Sequence, residues 1–356
     1  MPKTILHITD VLTVGGTEVL LAGTIPKLKG YNHVIVYLAG ENQFQNEFKD
    51  FPVICLGHTG KLSILCSVKR LKKIIKEHRV DIVHAHLFTS SLIAKLSCPK
   101  NCKLVFTIHN LLSKDAFEVN KLSLYAEKLT NKKRFSVIGV TKTVLEDYNK
   151  YIRIKGKSYV LHNFVNDIYF SIPYNPPKNV LDEFKLIAVG NLRRQKNYEN
   201  LLKAFTYLKN YPISLSVFGS GNLEEKLSQF IKDEKINVCL KGRVVDVAAV
   251  LPNYHAYIMA SLFEGYGIAP MEAMAAGMPL LLSDIPVFKE VTGDKPLYFN
   301  PTNPKEIANT ILKAYNNWAQ LEKQSANNRK FALTRASKDV YMKKLESIYQ
   351  SILNNN

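Results

Sequence analysis

The feature that most constrains this 356-residue chain is an alternation that runs twice. Short apolar runs separated by helix-length segments appear at 4–9, 33–39, 81–86, 103–109, 136–140 and 158–163. A stretch rich in Pro and Asn at 171–180 interrupts them, and the alternation then restarts at 185–190, 214–219, 238–242, 256–261 and 279–284. Strands spaced by helices predict β-α-β units and parallel sheets. The restart predicts an α/β chain of two Rossmann-like, doubly wound domains facing across a cleft, as the length also suggests. The expected division is 1–170 for the first domain and 178–336 for the second. The last helical pattern, about 337–352, carries Val340, Tyr341, Leu345, Ile348, Tyr349 and Ile352 at helical spacing and so must dock. It is expected, with the rest of 337–356, to pack back on the first domain.

Composition removes several classes. At 46% hydrophobic and 22% charged the chain is globular, and its apolar stretches are broken before the roughly 18 to 20 residues a membrane span needs. The N-terminal "MPKTILHIT" runs straight into a strand pattern with no secretory signal, so a cytoplasmic location is expected. Five cysteines without paired C-x-x-C motifs argue against a disulfide framework or zinc site and are read as reduced, mostly buried thiols. The net charge of +18 is uneven: residues 1–180 hold 26 Lys and Arg against 13 Asp and Glu, whereas the remainder holds 22 against 17. "SVKRLKKIIKEHR" (67–79) sets Val68, Leu71, Ile74 and Ile75 on one helical face and Lys69, Arg70, Lys72, Lys73 and Lys76 around the other. Lys132, Lys133, Arg134, Arg153, Lys155 and Lys157 add to the field. It suits an ordinary solvated face, an anionic membrane surface or nucleic acid, and charge alone leaves the three open.

In open α/β sheets ligands bind beyond the carboxyl ends of strands. The stretch "SLFEGYGIAPMEAMAAGMP" (261–279) follows such a strand. Gly265 and Gly267 permit close backbone approach, Pro270 suits a first helical turn, and Gly277 with Pro279 marks the helix end. Glu264 is then expected in the loop and Glu272 in the first turn of the helix. Helix-start N–H groups for an anion beside two carboxylates for hydroxyls answer a ligand that carries both phosphates and polyols.

The pattern E-G-[FY]-G-x-x-x-x-E followed by A-x-A-x-G-x-P resembles the signature of family 4 of the retaining, nucleotide-sugar-dependent glycosyltransferases, which have the GT-B fold. The resemblance extends over nearly the whole chain. It implies that Glu264 lies near the transferred sugar, that Glu272 accepts hydrogen bonds from the donor ribose, and that backbone N–H groups around Gly267 and Ile268, with Gly265, meet the sugar or diphosphate. It implies donor-base contacts from backbone at 242–244.

A second junction, "AVGNLRRQKNYENLLKAF" (188–205), carries Arg193, Arg194 and Lys196 in its loop. A departing diphosphate gathers negative charge, which fixed cations must stabilise where no metal does. The family's loop reads V-G-R-L-x-x-x-K. Lys196 matches its lysine, but Asn191 stands at the arginine position, which leaves open whether Arg193 or Arg194 supplies the second charge. "HITDVLTVGGTEVLL" (7–21) has Gly15 and Gly16 before a helix, where the resemblance brings the diphosphate and acceptor close to Gly16. His109, ending "FTIHN", matches the family's strand-end histidine near the transferred sugar; His84 and His86 remain structural or acceptor-side. "VFGSGNLEEKL" (217–227) has Glu224 where a dinucleotide fingerprint wants a third glycine.

The sequence holds no DxD between apolar strands and no H-E-x-x-H, so no metal and no resident cofactor are expected. The expected function is that of a metal-independent, retaining glycosyltransferase. Its catalytic residues would be His109, Lys196 and Glu264, its partners a nucleotide-sugar donor and a glycan or lipid-linked acceptor, in surface polysaccharide or glycolipid synthesis. A membrane surface is a possible further partner. The alternatives are another GT-B enzyme, an epimerase or phosphorylase, and a basic nucleic-acid-binding α/β protein. No recognition-helix or aromatic-stacking motif favours that last reading, so nucleic acid is not an expected partner.

Overall fold

The computed structural model describes residues 2–13, 15–114, 121–177 and 180–354. Contacts divide the chain into two units, Met1–Asn163 with Tyr341–Asn356, and Phe164–Val340. The first contains a seven-stranded parallel sheet of β1 (Lys3–Thr9), β2 (Tyr31–Tyr37), β3 (Val53–Cys55), β4 (Ile82–His86), β5 (Lys103–Ile108), β6 (Phe135–Gly139) and β7 (Ser158–Val160), in the order β3-β2-β1-β4-β5-β6-β7. The second contains a six-stranded parallel sheet of β8 (Phe184–Val189), β9 (Ile213–Phe218), β10 (Val238–Gly242), β11 (Ala256–Met259), β12 (Leu280–Ser283) and β13 (Leu297–Phe299), in the order β10-β9-β8-β11-β12-β13. Both orders reverse beside the first strand of the unit, the doubly wound pattern whose switch point opens a crevice at the strand ends.

The central strands are buried on both faces, as parallel sheets require. Leu6, Ile8, Val83, Ala85 and Leu104 anchor one core, and Leu186, Ala188, Leu215, Val217 and Ile258 the other. The basic helix Ile64–Glu77 buries Val68, Leu71, Ile74 and Ile75 and leaves Lys69, Lys72, Lys73 and Lys76 exposed.

The division falls before the expected boundary at 170, because 164–170 is held by the second unit. Val165 N–H bonds the Ala336 carbonyl at 2.8 Å, and Arg329 Nη1 donates to the Phe170 carbonyl at 2.9 Å. In the expected linker, 178 and 179 lie outside the described residues, as do the final two residues of 337–356. Tyr341–Asn356 belongs to the first unit: Tyr349 hydroxyl meets His84 Nδ1 at 2.6 Å, and Gln350 Nε2 donates to Tyr31 hydroxyl at 2.9 Å. The cysteines depart from expectation. Cys98 and Cys102 are buried, but Cys55, Cys66 and Cys239 are exposed, because β3 and β10 are edge strands and Cys66 faces outward on its helix.

Candidate active site

The polar residues of the second unit gather where β8 and β11 end. After β8 the chain passes Gly190 and Asn191, makes a single turn at Arg194–Lys196 and enters the helix Tyr198–Phe205 through Asn197, whose φ of 56° is left-handed. Asn197 tolerates this because its Nδ2 donates to the carbonyls of Ala260 at 2.9 Å and Pro301 at 2.7 Å, which fastens the loop to the end of β11. Across that junction Gln195 carbonyl accepts from Leu262 N–H at 2.9 Å, and Gln195 Nε2 donates to the Phe263 carbonyl at 2.9 Å.

The two sequence stretches that each suggested a site are thus one structure, and their charges meet. Lys196 Nζ lies 2.7 Å from Glu264 Oε1, which also accepts from Ser261 Oγ at 2.8 Å, while Gln195 Nε2 approaches Oε2 at 3.3 Å. Lys196 keeps 19% of its side-chain surface and Glu264 8%, so the pair sits at the floor of a surface with the lysine facing outward. Expected as separate groups, one for sugar and one for phosphate, they are coupled: the carboxylate fixes the position of the ammonium.

Glu264 is followed by Gly265, Tyr266 and Gly267. Gly267 has φ 81°, and a Cβ there would come within 2.6 Å of Phe288 Cε1. It caps the helix Ile268–Ala275, which closes through Gly277 (φ 90°), with Met278 N–H bonding the Ala273 carbonyl and Gly277 N–H the Met274 carbonyl. This is the Schellman arrangement. Because the helix begins at Ile268, Glu272 falls in its second turn, not in the first as expected. Its half-buried carboxyl bonds the hydroxyl of Tyr169, and burial raises its pKa to about 7 against the opposing pull of that bond. Both carboxylates lie close enough to Tyr257, beneath them, to push its phenol further above its ordinary value, where burial already holds it.

A hollow of about 440 Å³ opens at the ends of β8, β9 and β10, lined by Arg193, Arg194, Ser220 and Arg243. Both candidate arginines line it, together with Arg243. Arg243 Nε donates to Ser220 Oγ at 2.8 Å. Sequence reasoning took only backbone from 242–244 and missed this side chain, whose signal was its place just beyond a strand. The hollow needs glycine around it: Cβ atoms at Gly219 and Gly221 would fall 2.0 Å from the Gly190 carbonyl oxygen and 2.5 Å from that of Leu192. Gln195, Ser261 and Tyr169 were also missed, because side chains that brace other side chains leave no spacing to read.

In the first unit Gly15 caps the helix Gly16–Thr24, and a Cβ at Gly16 would meet nothing within 4 Å, so open space lies above it. Next to it Glu18 is buried and accepts from Thr9 Oγ1 at 3.1 Å. Burial raises its pKa, and nearby Asp10 adds to the effect. His109 follows β5 and lines a cavity of about 80 Å³ with Phe88, Phe106, Leu112, Glu127 and Tyr148. Its Nε2 has no hydrogen-bond partner, and burial lowers its pKa to about 4, so the ring is neutral at pH 7. His84 and His86 are fully buried within the sheet of this unit, away from its surface.

Three comparisons bear on the family. A family model described as "Glycosyltransferase Family 4" matches residues 14–168, and "Glycosyl transferases group 1" matches 174–331. An uncharacterized glycosyltransferase of Methanocaldococcus jannaschii is 24% identical over 340 residues, 90% of each chain. Alpha-monoglucosyldiacylglycerol synthase of Acholeplasma laidlawii is 24% identical over 323 residues, 81% of this chain and 80% of that one. Among solved structures, Anabaena HepE in complex with UDP superimposes with a TM-score of 0.83 over 98% of this chain and 100% of that one, at 16% identity.

Proposed function

This chain belongs to glycosyltransferase family 4 and has the GT-B fold, and from that premise we propose that it is a retaining, metal-independent enzyme. In this reading it moves a sugar from a nucleotide diphosphate donor to a hydroxyl of a glycan or lipid-linked acceptor. The observation that carries the reading is the Lys196–Glu264 pair at 2.7 Å, whose lysine shares its loop with two of the arginines that line the hollow.

The bond from the sugar's anomeric carbon to the β-phosphate oxygen breaks with its electrons moving to the diphosphate. Lys196, with Arg193 or Arg194, stabilises that growing charge. The acceptor hydroxyl attacks from the same face and passes its proton to the oxygen just released, so no enzyme nucleophile is needed. Glu264 holds Lys196 in place and offers its remaining lone pairs to sugar hydroxyls. Glu272, when ionised, takes hydrogen bonds from the ribose. The first N–H groups of the helix at Gly267 and Ile268 meet the anionic part of the donor. Neutral His109 and the open backbone at Gly16 serve the sugar and acceptor.

Several relatives act in O-antigen or glycolipid synthesis by their names. An acceptor of that kind fits the outward Lys69, Lys72, Lys73 and Lys76, each worth about 1 kcal/mol near an anionic membrane. Leu62 and Leu65 are also exposed beside them. Co-flotation with anionic vesicles at low salt, lost at high salt, is the expected behaviour, and none even at low salt removes the membrane surface from the reading. A thermal-shift panel of nucleoside diphosphates and their sugars tests the donor. A ligand present at about 100 times its Kd stabilises by about 2.7 kcal/mol. No shift with any of them at millimolar concentration overturns the proposal.

A further inference from the structure

The reaction leaves one group of chemically able side chains unused, a row of histidines across the middle of the first unit's sheet. His33 stands on β2, His7 on β1, and His84 and His86 on β4, with His7 and His84 directly paired in register. All four are buried. Ring centroids are 5.3 Å apart for His33 and His7, 5.8 Å for His7 and His84, and 4.1 Å for His84 and His86.

Hydrogen bonds fix where the lone pairs point. His33 Nε2 lies 3.0 Å from the Leu28 carbonyl, which can only accept, so that nitrogen carries the proton. In the imidazole form His33 Nδ1 is then a bare acceptor. His7 Nε2, 3.2 Å away, must therefore donate to it. His7 Nδ1 is left as a lone pair, fully buried and without a hydrogen-bond partner. His86 has no partner on either ring nitrogen. His84 is braced on both sides, by Tyr349 hydroxyl at 2.6 Å and Thr107 Oγ1 at 2.7 Å. One nitrogen from each of His7, His84 and His86 falls within 4.8 Å of the others.

Three buried imidazoles with a nitrogen of each inside 4.8 Å, two of the rings carrying unpartnered nitrogens, are a ligand set for a borderline divalent ion. Unsatisfied buried nitrogens destabilise the fold, and an ion would recover that cost. We propose that His7, His84 and His86 bind one zinc-type ion, as a structural site whose His86 ring stands 5.8 Å from that of His109. With Zn–N distances of about 2.0–2.1 Å, ligand nitrogens in a tetrahedral site stand about 3.4 Å apart, so binding requires the cluster to contract and His84 to release one hydroxyl. The outer supports are already in place: Leu28 carbonyl and His33 orient His7, and one hydroxyl keeps its bond to His84 while its other nitrogen turns to the ion. Neither Lys196 nor Glu264 takes part, so the inference stands or falls independently of the reaction proposed above.

The test uses the untagged full chain equilibrated with buffered Zn²⁺ and then dialysed, with metal content and thermal unfolding as readouts. The expected result is about one zinc retained per chain and a raised Tm, with His7→Asn and His86→Asn each weakening retention by at least about a hundredfold. A surface variant, His58→Asn with His78→Asn, retains the wild-type amount. If the core variants fail to fold, wild-type chain loaded with Co²⁺ decides, by the intense visible bands of four-coordinate cobalt. Zinc-free wild type after dialysis, which would leave water as the only occupant of the cluster, overturns the proposal. So does retention unchanged in both core variants, or cobalt with only the weak bands of a hydrated ion.

Discussion

The two units bury polarity in different places and in opposite protonation states. In the first, histidines lie in mid-sheet and are held neutral. In the second, a carboxylate–ammonium pair and a half-protonated carboxyl lie just beyond the strand ends. A group inside the sheet meets only neighbouring side chains, and the low dielectric drives it to its uncharged form. One at a strand end can keep a charge and offer it to a ligand. The one ion pair of the first unit's interior among the described residues, Lys95 with Glu127, belongs to the structural kind: it is sealed, and Tyr148 closes it with a bond to the same carboxylate.

That contrast can be broken in four places. The largest effect is expected from Lys95→Met, which strands Glu127 without its cation and costs about 3–5 kcal/mol in urea unfolding, whereas adding Glu127→Leu restores most of it. Lys196→Ala lies at the surface of a working site. It destabilises less than Lys95→Met, because Ser261 and Gln195 still bond Glu264, but lowers turnover at least about a hundredfold, or about 3 kcal/mol in the barrier; near-normal turnover would reject its role.

The third is acid. A histidine whose folded pKa is depressed contributes stability above the unfolded value of 6.5, which is lost as pH falls toward the folded one. For His109, at about 4, this amounts to about 2 kcal/mol by pH 5. Thermal scans between pH 7 and 5 should show this loss, smaller in His109→Gln. The smallest effect runs the other way. Glu272 has a raised folded pKa, so its stabilisation is complete below 4.5 and fades as pH rises through 7. Allowing for its contact with solvent, about 1 kcal/mol separates pH 5 from pH 7.5. Glu272→Gln should flatten that slope, and donor affinity in the wild type should rise with pH across the same interval as the carboxylate forms. A slope unchanged by the substitution would assign it elsewhere.

The doubly wound architecture was legible because eleven of the strands carry apolar runs long enough to register. β3 and β13 escaped, being three residues each at sheet edges; β7, an edge strand of the same length, registered only because its apolar run continues through Leu161. In the site, Glu264, Lys196 and the glycines could be read from their loops, since each sits where a strand gives way to a helix. Their pairing could not be read, because 68 positions separate lysine and glutamate and only the adjacency of β8 and β11 brings them together. Arg243 was hidden for a related reason: its importance comes from the neighbouring ends of β8 and β9, not from its own surroundings. The turn occupied by Glu272 was misjudged because the helix opens at Ile268, two residues ahead of the Pro270 that marked its first turn in the sequence.

The return of Tyr341–Asn356 to the first unit has a consequence on the ribosome. Since synthesis proceeds from the N-terminus, every residue of Phe164–Val340 emerges before Tyr349 can seat against His84. The unit begun first is therefore finished last, and a chain truncated after Val340 would hold every residue of the second unit while leaving His84 of the first without its Tyr349 bond.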